Sequence, residues 1–184
     1  MILPITVYGN TILRKVGKEI DENYVGLKEL IDNMFETMYK AEGVGLAAPQ
    51  VNKSIRLIVI DATPFAEDDP SLKDFKKAIL NPEILELTGE EELFNEGCLS
   101  LPGIREDVQR PTKVKIRYQD ENFNTYEEVW EGLKARVIQH EYDHLEGTLF
   151  VDRISAIKRR LIHGKLSAIA KGKHIPNYRI IQNK

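Results

Sequence analysis

Residues 139–144 read Gln139-His140-Glu141-Tyr142-Asp143-His144, an H-E-x-x-H pattern. On a helix, side chains four apart stand on one face, so both imidazoles reach a single cation. Glu141 lies about 100° around the helix from His140, where a carboxylate handles protons beside a metal instead of binding it. Leu133 and Val137 continue the face of His140 and His144, which puts the two histidines on the inward stripe. The alternative is a helix carrying two incidental histidines.

Two further segments hold the complementary chemistry. Glu96-Gly97-Cys98-Leu99-Ser100 contains the only cysteine. Its thiolate is suited to be a third ligand, leaving a fourth tetrahedral position for water. A buried small hydrophobe and a cysteine nucleophile with a histidine base are the other uses of such a residue. Gly43-Val44-Gly45-Leu46-Ala47-Ala48-Pro49-Gln50 superficially matches a dinucleotide fingerprint. That fingerprint follows a strand and opens a helix, whereas here a helix precedes, Pro49 disfavours a helix, and a strand follows. We expect a tight loop whose small residues let a ligand approach the backbone, with Gln50 offering an amide donor. Together the three segments supply two His and one Cys for a metal, a carboxylate beside it and an amide donor, the inventory of metal-assisted hydrolysis. A metallopeptidase and a structural zinc site in a binding module draw on the same pattern. The first usually takes a third His or Glu ligand and the second needs a closed four-ligand site. The remaining histidines, His163 and His174, are expected at the surface.

The elements that must position these residues follow from periodicity. Leu27, Leu30, Ile31, Met34, Phe35 and Met38 have the spacing of an amphipathic helix, expected to end near Gly43. Ile55–Asp61 reads as a buried strand, residues 61–77 as a loop and residues 78–87 as partly extended. Val114, Ile116 and Tyr118 alternate with Lys113, Lys115 and Arg117, a half-buried strand. A turn at Asp120-Glu121-Asn122 leads into a second extended run to Trp130, giving an antiparallel hairpin. Residues 133–146 form a helix closed by Gly147, and residues 155 to about 171 a last one. Strands and helices without regular alternation predict an α+β fold.

The chain has 184 residues, 42% hydrophobic and 30% charged, consistent with one globular domain over 1–184. No stretch approaches the roughly 20 apolar residues of a membrane span. The first ten residues lack the basic and apolar regions of a secretory signal. A lone thiol without an export signal points to a reducing, cytoplasmic setting. The net charge of −3 conceals a division. Residues 153–184 hold nine of the 26 basic side chains and none of the 29 acidic ones, so residues 1–152 carry a balance of −12. Such asymmetry hints at an anionic partner for the tail.

The three motifs, in this order, resemble those of the peptide deformylases: G-x-G-x-A-A-x-Q (Gly43, Gly45, Ala47, Ala48, Gln50), E-G-C-x-S (Glu96, Gly97, Cys98, Ser100) and Q-H-E-x-D-H (Gln139, His140, Glu141, Asp143, His144). The resemblance extends over nearly the whole chain, from Leu13-Arg14 to the C-terminal helix. It implies antiparallel strands around a central H-E-x-x-H helix, flanked by an N-terminal and a C-terminal helix. It implies removal of the formyl group from N-formylmethionyl nascent peptides, with release of formate. The ligands would be Cys98, His140 and His144, binding Fe(II) physiologically, with Zn(II), Ni(II) or Co(II) as substitutes. Metal-bound water would attack the formyl carbon, with Glu141 as general base and acid. Gln50 and the Leu99 backbone N–H would be the oxyanion donors. Gly43, Val44, Gly45, Leu133, Val137 and Arg105 would bind substrate, the methionine side chain entering an apolar pocket near Val44, Leu133 and Val137. Glu96 and Arg110 would form a supporting ion pair. Arg136 stands where many members carry an apolar residue and is expected to narrow or rim that pocket. Gly9 replaces a common proline, with a local backbone effect. The basic tail, about 153–184, would dock on the ribosome, and the protein would act as a monomer.

Overall fold

The computed structural model describes residues 1–174 and 176–181. Its elements are β1 (Ile5–Thr6), α1 (Leu27–Lys40), β2 (Gly45–Ala47), β3 (Leu57–Asp61), β4 (Lys76–Gly97), β5 (Arg105–Gln119), β6 (Thr125–Glu131), α2 (Gly132–Leu145), α3 (Ala156–Ala170) and β7 (Ile180–Ile181), with short 3-10 turns between some of them. Helices and an antiparallel sheet in one chain agree with the α+β expectation. The sheet order is β2-β3-β4-β5-β6, and β1 pairs with β7 in a separate parallel couple.

The apolar periodicities become buried faces. Leu30, Ile31, Met34 and Met38 of α1 are buried in one cluster with Leu57 and Val59 of β3. All five residues of β3 are buried. Helix α2 packs on β2, β3, β5 and β6, sharing a second cluster with Ile58, Ile60, Val114, Ile116 and Trp130. A third gathers Leu101, Ile104 and Val108 beneath Ile162, Leu166 and Ile169 of α3. Residues 61–77 hold two 3-10 turns, Thr63–Phe65 and Pro70–Leu72, started by prolines and closed by Asp61 and Asp69 side chains accepting from the backbone.

Helix ends follow cap chemistry. Gly147, at φ 69°, closes α2 as expected: the Thr148 N–H reaches the Asp143 carbonyl and the Gly147 N–H that of His144. Ser155 caps α3 by accepting from the Lys158 N–H. Helix α1 stops at Lys40, short of Gly43, and Glu42 takes the left-handed position at φ 58°. The N–H groups of Glu42 and Gly43 then satisfy the carbonyls of Tyr39 and Met38.

Two expectations are corrected. Residues 43–50 are not simply a tight loop. Gly45–Ala47 is a strand at the sheet edge, with Gly45 opposite Ile60 and Ala47 opposite Ile58, because Leu46 and Ala47 fill the core. And β4 does not end near Leu87. It continues for 22 residues to Gly97, paired with β5 as far as Gly97–Arg105. The outer half is a two-stranded arm with Leu87 and Leu93 exposed, and its register shifts three times, at Leu80/Glu83, Ile84/Glu86 and Thr88/Glu91. Those bulges break the period-2 signal that marks a strand. The loop 98–104 that closes this hairpin carries Cys98.

Candidate metal centre and its cleft

Three elements converge on one point: α2 with His140 and His144, the β4–β5 loop with Cys98, and the turn after β2 with Gln50. The ligand atoms of Cys98, His140 and His144 lie within 4.8 Å of one another, and no further His, Cys, Asp or Glu joins this cluster among the described residues. The Cys98 sulfur is 3.3 Å from His144 Nε2. The Gln50 side chain is 1% exposed. Its Oε1 accepts from the Ala47 N–H at 2.8 Å, which orients Nε2 toward Cys98 Sγ at 3.5 Å and Ser100 Oγ at 3.2 Å.

His140 is held from behind. Its Nδ1 is 2.8 Å from Glu96 Oε2, which leaves Nε2 as the ligating nitrogen, the usual outer-shell arrangement of a metal-bound imidazole. Glu96 is itself enclosed by Arg110, whose Nε and Nη2 donate at 2.7 and 3.0 Å, and by Arg136 Nη1 at 3.0 Å. Burial alone pushes the Glu96 carboxyl up, but the hydrogen bonds from His140 and Arg110 outweigh it and hold it well below the usual carboxylate range. Burial disfavours charge on His140, yet Cys98 and Glu96 raise its pKa well above the ordinary value. That pull toward positive charge is what a cation site provides. Burial, with His140 nearby, lowers His144 instead.

Glu141 is 5% exposed, and its Oε2 has no hydrogen-bond partner. Burial raises its pKa to about 7. Gly45 makes room for it: a Cβ there would lie 2.6 Å from Glu141 Oε1. A buried carboxyl with an unpaired oxygen, beside three soft and borderline donors, fits a bound cation and an ordered water.

The site opens into a cleft of about 680 Å³ lined by Gly43, Val44, Gly45, Gln50, Cys98, Leu99, Arg105, Leu133, Val137, His140 and Glu141, among others. The residues expected from the sequence are therefore brought together, His144 lying just behind this surface. Arg105 stands at the rim, where its Nε and Nη2 donate to the Asn95 side chain and carbonyl at 2.8 and 2.7 Å. The expected Glu96–Arg110 pair is present. Arg136 differs from its expectation. It borders the cleft but is 6% exposed, and it ties Glu96 to the carbonyls of Val108 and Glu92, so its guanidinium braces the carboxylate behind His140. Gly9 has φ 100°, a value closed to proline.

Three contributors were not assigned roles from sequence. Asp143 accepts from Arg110 at 2.8 Å and from Arg153 Nε at 2.6 Å, joining α2 to the tail; its place in the Q-H-E-x-D-H motif was the available signal. Ser100 receives Gln50, and it too stood in a motif. His174, placed at the surface by sequence, lines the cleft with Pro176, Asn177 and Tyr178. No spacing rule announces a return of the chain over such a distance.

The polypeptide deformylase family model matches residues 2–160. A peptide deformylase of Flavobacterium johnsoniae is 54% identical, covering 98% of this chain and 95% of its own. Among solved structures, a peptide deformylase from Legionella pneumophila is 41% identical with TM-score 0.82, covering 96% of this chain and all of that one. A Met-Ala-Ser-bound class I type b peptide deformylase from Acinetobacter baumannii is 39% identical with TM-score 0.75, covering 84% of this chain and 99% of that one.

Proposed function

The chain belongs to the polypeptide deformylase family, and we propose that it hydrolyses the N-formyl group of formylmethionyl peptides at the Cys98–His140–His144 centre. The carrying observation is the unpartnered buried oxygen of Glu141 beside that donor cluster. Family membership supports the reaction class, and the cleft supports the assignment of residues within it. The Met-Ala-Ser peptide named with the Acinetobacter baumannii structure matches the product such a reaction leaves.

A divalent ion held by Cys98, His140 and His144 supplies Lewis-acid chemistry, acidifying water and polarising the formyl carbonyl. We assign Fe(II) to it, with Zn(II), Ni(II) and Co(II) as substitutes, since a Cys and two His suit all four. Elemental analysis of protein prepared without oxygen decides among them. Glu141, with a pKa near neutrality, takes a proton from the attacking water and gives it to the leaving amine. The water oxygen bonds to the formyl carbon, the carbon–nitrogen bond breaks, and formate and a free amino terminus leave. Gln50 Nε2 and the Leu99 N–H hold the negative oxygen that develops. Val44, Leu133 and Val137 receive the methionine side chain. The free edge of β2, at Gly43–Gly45, lies along an extended peptide backbone.

The test is formate release from formyl-Met-Ala-Ser, set against acetyl-Met-Ala-Ser and against cleavage within an unformylated peptide. Formate from the first substrate alone is expected. Cleavage of internal peptide bonds without formate release would transfer the site to peptidase chemistry.

The exposed basic side chains of α3, Arg160 and Lys165, are assigned to ribosomal RNA phosphates, where nascent chains emerge. The tail is less free than its composition suggests. Arg153 pairs with Asp143, Arg159 with Asp152 and Lys158 with Glu106. Lys184 lies outside the described residues.

A further inference from the structure

After α3 the chain turns back, and Tyr178 donates its hydroxyl to the Leu99 carbonyl at 2.7 Å. Leu99 is the residue after the proposed ligand Cys98. Next to this bond, Pro176 and Asn177 line the same cleft as Gly43–Gly45, Leu133 and Glu141. His174 lies against Gly103, so that a Cβ on Gly103 would meet its imidazole at 3.2 Å. The chain is fastened on the far side as well. The Ile5 N–H donates to the Arg179 carbonyl at 2.8 Å, and Ile180–Ile181 pair with Ile5–Thr6. Ile180 also packs on the cluster of Leu101, Ile104 and Phe150. The segment is thus a strapped wall of the cleft, and it lies beyond residues 2–160 that the family model matches.

The cleft has two ends. Gln50, Cys98, His140 and Glu141 form the reacting end, with Val44, Leu133 and Val137 as the apolar pocket beside it. A formylmethionine fills both. Whatever follows methionine leaves along the loop 98–104 and the segment packed on it.

We propose that Pro176, Asn177 and Tyr178 form a subsite for the peptide residues after methionine, with Tyr178 the positioning residue that fixes it to the Leu99 carbonyl. This rests on the deformylase reading. A substrate that ends at methionine does not reach the wall, whereas a tripeptide does. The wall therefore contributes to KM for long substrates and leaves the chemistry at the formyl carbon unchanged.

The experiment compares formyl-methionine amide with formyl-Met-Ala-Ser on the metal-loaded wild type and on Tyr178→Ala, with thermal melting as a check of folding. Loss of one hydrogen bond and its ring contact is expected to raise KM for the tripeptide roughly three- to tenfold. Both constants for the amide and kcat for the tripeptide should stay unchanged. A purely structural role would instead lower kcat on both substrates, and that result, or an unchanged tripeptide-to-amide ratio in a folded variant, overturns the subsite. A second measurement needs no variant: hydrogen exchange in the wild type should slow over residues 173–181 with Met-Ala-Ser and not with methionine amide. Equal exchange with both overturns the proposal even if Tyr178→Ala does not fold. No formate from either substrate in the wild type would overturn the deformylase reading and this subsite with it. An active wild type that lacks the length dependence removes the subsite alone.

Discussion

At the scale of single residues, the site works by confinement. Gln50 has almost no exposed surface, and its amide is turned by the Ala47 N–H so that the nitrogen end faces Cys98 and Ser100. Such a donor binds charge that exists only during reaction. Gln50→Ala is expected to lower kcat by about 10²–10³ while metal content stays at the wild-type level. Parallel turnover and elemental analysis check this, and intact turnover would remove Gln50 from the oxyanion role. The donors were legible in the sequence because H-E-x-x-H spacing has a direct geometric meaning. Arg136 was less legible. Its guanidinium reaches the Glu96 carboxylate and two carbonyls of the β4–β5 arm, and a residue's position on a helix does not say which acceptors come within reach.

At the scale of elements, caps and fasteners keep the three motifs in register. Gly147 ends α2 just past His144, with φ 69° and the Arg14 carbonyl only 2.6 Å from where a Cβ would stand. Gly147→Ala is expected to destabilise the fold by more than about 1 kcal/mol, read as a shift of the urea midpoint with an unchanged slope. Asp152 is a second fastener, accepting from Arg14, from Arg159 and from the Leu149 N–H. Burial pushes its carboxyl up, but the hydrogen bonds from Arg14 and Leu149 prevail and hold it below the ordinary value. A carboxyl with a depressed folded pKa contributes stability in full above its unfolded pKa of about 3.9, and loses it as pH falls through the folded value. Wild type should therefore exceed Asp152→Asn in stability at neutral pH, with the gap closing below about pH 4. A gap that persists in acid would contradict the charge-based account. The helices were readable from their periodicity and caps. The long β4 was not, because Pro82, Gly89 and three register shifts interrupt it, and pairing with β5 is what holds the outer half extended.

At the scale of the whole molecule, the acidic body and basic tail are stitched together rather than merely adjacent. Ion pairs from Arg153, Lys158 and Arg159 reach residues of the body, and Ile162, Leu166 and Ile169 of α3 are buried against it. Truncation of the tail would therefore open the core, and charge reversal is the cleaner perturbation. Arg160→Glu with Lys165→Glu is expected to weaken ribosome binding and flatten its salt dependence, while turnover of a formylated tripeptide is kept. Binding that does not respond to salt would contradict the assignment. The charge asymmetry could be counted from sequence, but its partial neutralisation could not, since the acidic partners are brought near only by the fold. None of the helices among the described residues is long and apolar enough to cross a membrane. The central claim is that the buried Glu141 moves protons beside a metal it does not bind. It is tested most directly by measuring bound metal and formate release together for wild type and Glu141→Gln, with formyl-Met-Ala-Ser as substrate. The prediction is equal metal per chain in both proteins and formate release lowered by about 10²–10⁴ in the variant. Comparable formate release from a metal-replete Glu141→Gln protein would contradict it.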